Sequence, residues 1–340
     1  MKILGISCYY HDAAAALIDD GEIIAAAEEE RFSRKKHDSG FPKNAIDFCL
    51  KMDDVKAQQL DWIVFYEKPF TKFERITLSF LATAPFARES FVNAYKTWLK
   101  DKLWIKASIA SYLKIPSNKI IFSGHHLSHA ASAFYTSPFK SAAILTSDGV
   151  GEWTTTAWGR AKNNKIYLKN EVSFPHSLGL FYSTFTQFLG FQINEGEYKV
   201  MGLAPYGKPR FVDKVEKMIR QSSDGSFQLD LSYFNFHLSD KVSFSDKFVR
   251  LFGVPPLDPG KADQVIPRYA DIAASAQRVL EEKRLAIAKH VKKITGEDNL
   301  CYAGGVALNG VVNWRIFKEA GFKNIFVHPA AGDSGGALGA

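Results

Sequence analysis

Apolar and polar positions follow a two-residue period through the first thirty residues. Residues 2–8, 13–18 and 22–27 each read as a strand, and Asp19-Asp20-Gly21 forms the tight turn between the second and third, with Gly21 supplying a positive φ. The chain therefore opens as a three-stranded meander, its first two strands joined by the loop Tyr9-Tyr10-His11-Asp12. The period then lengthens. Ala45, Ile46, Cys49 and Leu50 recur at helical spacing within 42–51, where Pro42 suits a first helical turn. A β-rich run covers 60–66. A long helical stretch with many aromatics, Trp98 and Trp104 among them, covers 70–113, and its expected form is an inserted helical lobe with the aromatic stripe as core. A strand at 119–123 and a helix opened by Gly124 and running to about 134 complete this first pass.

The pattern then restarts. Strands are expected at 142–147, 153–158 and 165–172, a helix at 178–189, and a loop-rich region at 191–265. A long helix follows at about 272–293, then a strand at 299–303, a helix at 309–319, a strand at 324–328 and the start of a helix in 334–340. Two passes of three strands followed by helix, strand and helix imply a duplication at the level of the fold. The first lobe is expected over 1–140, with the helical insertion at about 70–113, and the second over 141–340. This order is similar to the α/β architecture shared by actin, sugar kinases and heat-shock ATPases, two lobes with a nucleotide cleft between them. That similarity licenses a fold and not a function.

Composition narrows the picture. A chain of 340 residues fits two packed halves, and a hydrophobic share of 46% with 23% charged fits a globular protein. No segment reaches the roughly 18 to 20 apolar residues that cross a bilayer. The nearest, 13–27, is broken by Asp19, Asp20 and Glu22, and His11 and Asp12 come too early for a signal peptide. Cys8, Cys49 and Cys301 form no CxxC pair, so neither a disulfide framework nor a zinc knuckle follows, and a reducing cytoplasm is the expected setting. The net charge of +7 is spread, with only short runs at Arg34-Lys35-Lys36 and Lys292-Lys293. Small phosphorylated substrates account for that bias, and no nucleic-acid partner is expected.

The candidate chemistry starts at Gly124-His125-His126-Leu127-Ser128-His129. His125 and His129 stand four apart on a predicted helix, which puts both rings on one face, able to grip one metal ion; ordinary helix histidines are the plain alternative. Asp148 lies just past a predicted strand end, where ligand-binding groups collect in open α/β sheets. Asp333, in Ala-Gly-Asp-Ser-Gly-Gly, is either a helix cap or a further ligand. Two His and two Asp without Cys suit Fe(II) or Mn(II) at least as well as zinc. A metalloprotease would need Glu at position 126, where His stands. Gly304-Gly305 sits in a strand-to-helix turn that lets a nucleotide approach the backbone, with phosphate favoured at the helix N-terminus. Asn309 is suited to a ribose or to capping that helix. Gly149 and Gly151 of Asp148-Gly149-Val150-Gly151 form a second possible phosphate cradle, and the 7–12 loop stands where a first phosphate loop would be. Residues 194–207, Asn194-Glu195-Gly196-Glu197 through to Gly207, gather acid, base and glycine into what reads as a binding loop or a surface turn.

Seven segments together resemble the NodU/CmcH carbamoyltransferase family. They are the run from Gly5-Ile6-Ser7-Cys8 through His11-Asp12 to Ala15, Glu28-Glu29-Glu30-Arg31-Phe32, the His125/His129 pair, Ser147-Asp148-Gly149, Lys199-Val200-Met201-Gly202-Leu203-Ala204, Gly304-Gly305-Val306-Ala307-Leu308-Asn309 and the Asp333 motif. Enzymes of that family carbamoylate hydroxyl groups on Nod factors, cephalosporins and aminoglycosides. The resemblance implies an actin-like domain related to the tRNA threonylcarbamoyl-transferring proteins, with an iron ion held by His125, His129, Asp148 and Asp333. It also implies a C-terminal YrdC-like domain, absent from these 340 residues, where carbamoyl phosphate and ATP give carbamoyl adenylate. The expected reaction is transfer of the carbamoyl group from that adenylate to a hydroxyl of a small-molecule or sugar acceptor. His11 is expected to handle a proton or position the acceptor, Lys199 to balance phosphate charge, and the Gly304-Gly305 turn to hold the adenosine side. Two other readings stay open: an actin-like ATPase or sugar kinase, with Asp12 orienting Mg²⁺, and a non-catalytic nucleotide-binding module. The kinase has no use for the histidine pair.

Overall fold

The computed structural model describes residues 1–100 and 102–340. In the first lobe the central strand is β1 (Lys2–Ser7). It runs antiparallel to β2 (Ala14–Asp19), which pairs with β3 (Glu22–Glu28), and parallel to β4 (Trp62–Phe65), which pairs with β5 (Ile120–Phe122). Gly21 makes the β2–β3 turn at φ +90°. The helices here are α1 (Glu30–Ser33), α2 (Lys43–Met52), α3 (Pro69–Thr83), α4 (Arg88–Lys100), α5 (Ile105–Leu113) and α6 (His125–Phe134).

The second lobe repeats this wiring. Its central strand β6 (Ser141–Ser147) is antiparallel to β7 (Thr154–Lys162), which continues to β8 (Lys165–Ser173). After α7 (Leu178–Phe188), α8 (Glu197–Leu203) and α9 (Val212–Glu216) comes a hairpin of β9 (Ile219–Gln221) and β10 (Phe227–Leu229). Then follow α10 (Asp246–Phe252), α11 (Pro267–Thr295), β11 (Asn299–Ala303), α12 (Gly310–Glu319), β12 (Asn324–Val327) and α13 (Asp333–Gly339). The strand orders are β3-β2-β1-β4-β5 and β12-β11-β6-β7-β8. Numbered from its own first strand, each sheet reads 3-2-1-4-5 with the same parallel and antiparallel pairings. This is the duplicated actin-like α/β fold.

Two expectations need correction and one needs detail. Residues 191–265 are loop-rich as expected, with more than half of them outside helices and strands, but they also hold α8, α9, α10 and the hairpin. Their elements are too short for a long period, and aromatic packing organises them instead, with Phe248 of α10 lying 5.0 Å from Phe185 and 5.1 Å from Phe188 between ring centroids. The insertion is helical as expected, but its aromatic stripe is not all core. Trp98 is buried, whereas Trp104 and Phe70 face solvent, and α3 meets α4 through a stacked Phe80–Phe91 pair 4.0 Å apart.

The second correction concerns the division at 140. Helix α6 lies on the second sheet, where Ala130, Ala133 and Phe134 pack with Ala142, Ile144, Cys301 and Ala303. Helix α13 crosses back to β1 and α6. Each lobe's last helix thus closes the other lobe. The crossing is tight because it is built on glycine: a Cβ on Gly5 would lie 1.8 Å from the Ala337 carbonyl oxygen, and one on Gly339 would lie 1.8 Å from that of Ser128.

Candidate metal centre and interlobe cleft

The exchanged helices bring distant residues together. Gly124 caps α6, and the first helical N–H, that of His125, donates to the Glu152 carboxylate at 3.0 Å. One turn apart, His125 and His129 aim their Nε2 atoms at the same point, 3.1 Å from each other. Asp148, just beyond β6, places Oδ2 2.8 Å from His125 Nε2 and 2.9 Å from His129 Nε2. Asp333, the first residue of α13, places Oδ1 3.7 and 3.5 Å from the same two nitrogens. All four residues are buried, and one ligand atom from each falls within 4.8 Å of the others. Asp333 is not the helix cap: Gly332 holds that position.

The donor set fits a cation. Two imidazole nitrogens and two carboxylates face one another inside the protein, and Asp333 Oδ1 is buried without any hydrogen-bond partner. Such an oxygen is costly unless positive charge meets it. The side chains respond accordingly. Burial works against the charged form of His125, but the Asp333 charge and the Asp148 hydrogen bond outweigh it and push its pKa well above the ordinary value. Burial likewise disfavours ionised Asp148, yet its hydrogen bonds to both histidines hold it well below the usual carboxylate range. His126 is different. Its ring is held by Thr146 Oγ1 at 2.7 Å and by the Thr154 carbonyl at 2.8 Å, and burial, reinforced by His125 and His129, pushes it down to about 3. It is a neutral tether fixing α6 to the second sheet.

Through Asp148 the centre borders a cleft of about 1010 Å³, counting its open mouth, which the other three residues do not line. Tyr10, His11 and Asp12 wall it from the first lobe, and Asp148, Gly149, Gly305 and Asn309 from the second. His11 donates or accepts through Nδ1 at 2.8 Å from Asp12 Oδ2 and keeps Nε2 4.0 Å from Asp333 Oδ2. Burial opposes its protonation, but Asp333 and Asp12 prevail and raise it to about 9. Asp12 in turn takes His37 Nδ1 at 2.7 Å.

Not every expected residue reaches the cleft. Lys199 does not. Residues 197–203 form a helix rather than a loop, so Glu197, Tyr198 and Met201 face the cleft while Lys199 points to solvent, 3.7 Å from Asp263. Gly151 does not cradle a ligand either; it lies behind His125, where a Cβ would come 2.9 Å from the ring. Gly304, at φ +95°, is pressed on the end of β6, where a Cβ would meet the Ser147 oxygen at 2.2 Å. Asn309 lines the cleft, but its amide is already used: Oδ1 caps α12 through the Val312 N–H at 3.1 Å, and Nδ2 donates to Gln277 at 2.9 Å. Gly149 and Gly305 do line the cleft, and a Cβ on Gly305 would lie 2.9 Å from Asp148 Oδ1.

Two neighbours of the centre were not singled out from sequence. Tyr66 donates its hydroxyl to Asp333 Oδ2 at 3.3 Å, and Glu67 faces His125 Nδ1 at 3.6 Å. Both follow β4, and the strand-end reasoning that selected Asp148 applies to them equally.

Fold and site together define an actin-like domain with a buried His₂Asp₂ cluster bordering its interlobe cleft. Residues 2–340 match the family described as Carbamoyltransferase N-terminus, and the chain belongs to that family. It is similar to the uncharacterized protein sll1178 of Synechocystis, at 47% identity over 99% of this chain and 56% of that one. It is also similar to the nodulation protein NolNO of Sinorhizobium fredii, at 34% identity over 98% of this chain and 46% of that one. The chain thus spans about half the length of these curated relatives. Among solved structures, component A of the (R)-2-hydroxyglutaryl-CoA dehydratase of Acidaminococcus fermentans aligns with all of this chain and 96% of its own, at TM-score 0.48 and 14% identity. HypF of T. kodakarensis aligns with 99% of this chain and 46% of its own, at TM-score 0.48 and 15% identity. The fold assignment rests on the strand order, not on these alignments. Among the described residues no helix is long and apolar enough to cross a membrane.

Proposed function

We propose that this domain performs the transfer step of an O-carbamoyltransferase, moving a carbamoyl group from carbamoyl adenylate to the hydroxyl of a small-molecule or sugar acceptor. The observation that carries the proposal is the cluster of His125, His129, Asp148 and Asp333, with its unpartnered Asp333 Oδ1, which borders through Asp148 a cleft large enough for a nucleotide. The donor would be made from carbamoyl phosphate and ATP elsewhere in a longer polypeptide or complex, in the cytoplasm. A divalent ion held by the four ligands, iron in the family resemblance, would polarise the donor carbonyl or steady its phosphate.

The chain's own groups supply the rest. The acceptor oxygen attacks the carbonyl carbon, the bond from that carbon to the phosphate oxygen breaks, and AMP leaves. Asp12 fixes the His11 ring through Nδ1 and leaves Nε2 facing the cleft, and a cation that offsets the Asp333 charge raising its pKa would free that nitrogen to take the acceptor proton. Among the described residues no lysine or arginine lines the cleft, so backbone N–H groups and the bound ion would meet the phosphate charge that Lys199 was expected to balance. The apolar side chains of Leu280, Val306 and Leu308 offer a wall for the adenine. The kinase alternative needs Asp12 free for Mg²⁺, whereas Asp12 is occupied by His11 and His37.

Elemental analysis of protein purified without chelator tests the reading. Wild type should hold close to one divalent ion per chain, and His125→Ala and His129→Ala should lose it. Wild-type metal content in both variants overturns the assignment.

A further inference from the structure

The metal-binding face of α6 has a back side, and the helical insertion supplies it. Glu67 directs Oε2 at His125 Nδ1, 3.6 Å away. Glu67 is buried and ion-paired with Lys72, which comes from α3 of the insertion and is equally buried. The next turn of α3 contributes Arg75. Its guanidinium, also buried, donates to the Gly151 carbonyl at 3.0 Å and lies over the Phe174 ring. Gly151 in turn rests against the His125 ring, close enough that a Cβ would overlap it. Finally, the backbone N–H groups of Lys68, which caps α3, and His125, which starts α6, share the Glu152 carboxylate at 2.8 and 3.0 Å. Helix α3 is therefore fastened to the metal-binding helix at three points, two of them against the His125 imidazole and one at its backbone N–H.

Burying two cations of a helical insertion beside a buried carboxylate is expensive, and apolar packing would hold a helix at less cost. What these charges do that apolar contacts cannot is set one ring's tautomer and aim. An imidazole that binds a cation through Nε2 must carry its proton on Nδ1, and a carboxylate facing Nδ1 favours that form and fixes the ring. Resting on the metal reading above, we propose that Glu67 is a positioning residue for His125, and that the insertion, through Lys72 and Arg75, governs how tightly the centre holds its metal.

The test is metal affinity and the rate of metal loss to a chelator, measured with ferrous ion or its redox-stable substitute Mn²⁺. Glu67→Gln should weaken binding by about 10–100-fold, the usual effect of removing such a supporting group, and Arg75→Gln should shorten retention in the same direction. To guard against simple misfolding, Glu67→Leu/Lys72→Met replaces the buried pair by apolar residues of similar size. It should keep the metal-free thermal midpoint near wild type while losing the extra stability that added metal confers. If Glu67→Gln, Arg75→Gln and the paired variant all bind and release metal as wild type does, the inference is overturned while the centre itself stands. If wild type binds no divalent ion, the metal reading fails and this inference fails with it.

Discussion

Replacing Gly5 by alanine should empty the proposed metal centre, which Gly5 does not touch. Gly5 lies in the middle of β1, where a Cβ would fall 1.8 Å from the Ala337 carbonyl oxygen and 2.9 Å from its carbon. Ordinary contact distances require the strand and helix backbones to part by roughly 1.5 Å. Helix α13 has nowhere to slide. Gly339 is pressed on the Ser128 carbonyl at its far end, and Gly336 faces the Tyr66 ring, with a would-be Cβ 2.8 Å away. Overpacking of this kind costs about 1–3 kcal/mol, and backbone against backbone belongs at or above the top of that range. The displacement matters more than the energy. Asp333 leads α13, and its Oδ1 is already 3.5 Å from the nearest imidazole nitrogen. Moving it by an ångström or more takes it out of range of an ion whose oxygen ligands sit at about 2.0–2.2 Å. Gly202→Ala is the control: it lies within α8 with nothing within 4 Å of the added carbon, so it should be neutral or slightly stabilising. Metal analysis and urea unfolding of the two variants decide the matter. If Gly5→Ala retains wild-type metal and the same urea midpoint as Gly202→Ala, α13 is not docked on β1 and the reasoning fails.

Two further outcomes are expected. His126 titrates near 6.5 in an unfolded chain but only at about 3 when folded, so below pH 6.5 the unfolded state takes up a proton that the folded state refuses. Stability should therefore fall as pH drops from 6.5 towards 3 and level off below, by at most about 5 kcal/mol from this group. Equilibrium unfolding across that range should show a shallower slope in His126→Gln, and an unchanged slope would count against a buried neutral ring. Lys199→Met should leave nucleotide affinity within twofold of wild type, because the lysine faces solvent beside Asp263; a tenfold loss in an ATP titration would return it to the cleft.

The elements were legible wherever the hydrophobic period was long. The meander, the helix from 125 and the long α11 appear where the pattern put them, within a few residues. Residues 191–265 are mostly loop as read, but the short elements within them went unseen because α8, α9 and α10 span only five to seven residues each, too few to display a period, and because ring packing rather than amphipathic alternation holds them. The four clustered side chains were legible for different reasons. His125 and His129 follow from local spacing, which a helix converts directly into geometry. Asp148 and Asp333 followed from strand-end and turn rules that pick out many acids, and only the fold brings these two to the histidines. Lys199 shows the opposite case: its neighbours suggested a binding loop, and the loop proved to be a helix with one face to the cleft. Glu67 and Tyr66 carried a signal that was available, a polar pair at a strand end, but their partners come from 58 and more residues away, a separation that local pattern does not encode.

The exchange of closing helices explains why such scattered residues form one centre. Had each lobe kept its own last helix, the histidines of α6 would face the first sheet, and Asp333 would remain with the second. Because α6 covers β6 and β11 while α13 returns to β1, the two helices meet at the interface, and the strand end bearing Asp148 lies between them. A cation there would bind a segment that starts at residue 125, a turn at 148 and a helix at 333, three points that separate when the lobes come apart. Ligand binding stabilises the state that assembles the site, by about 4 kcal/mol at a thousandfold excess over the dissociation constant. The same ion that serves the chemistry would thus close the fold. This also gives a physical reason for the glycines at 5, 336 and 339: the close helix crossing they permit is what brings Asp333 within reach of the histidine pair.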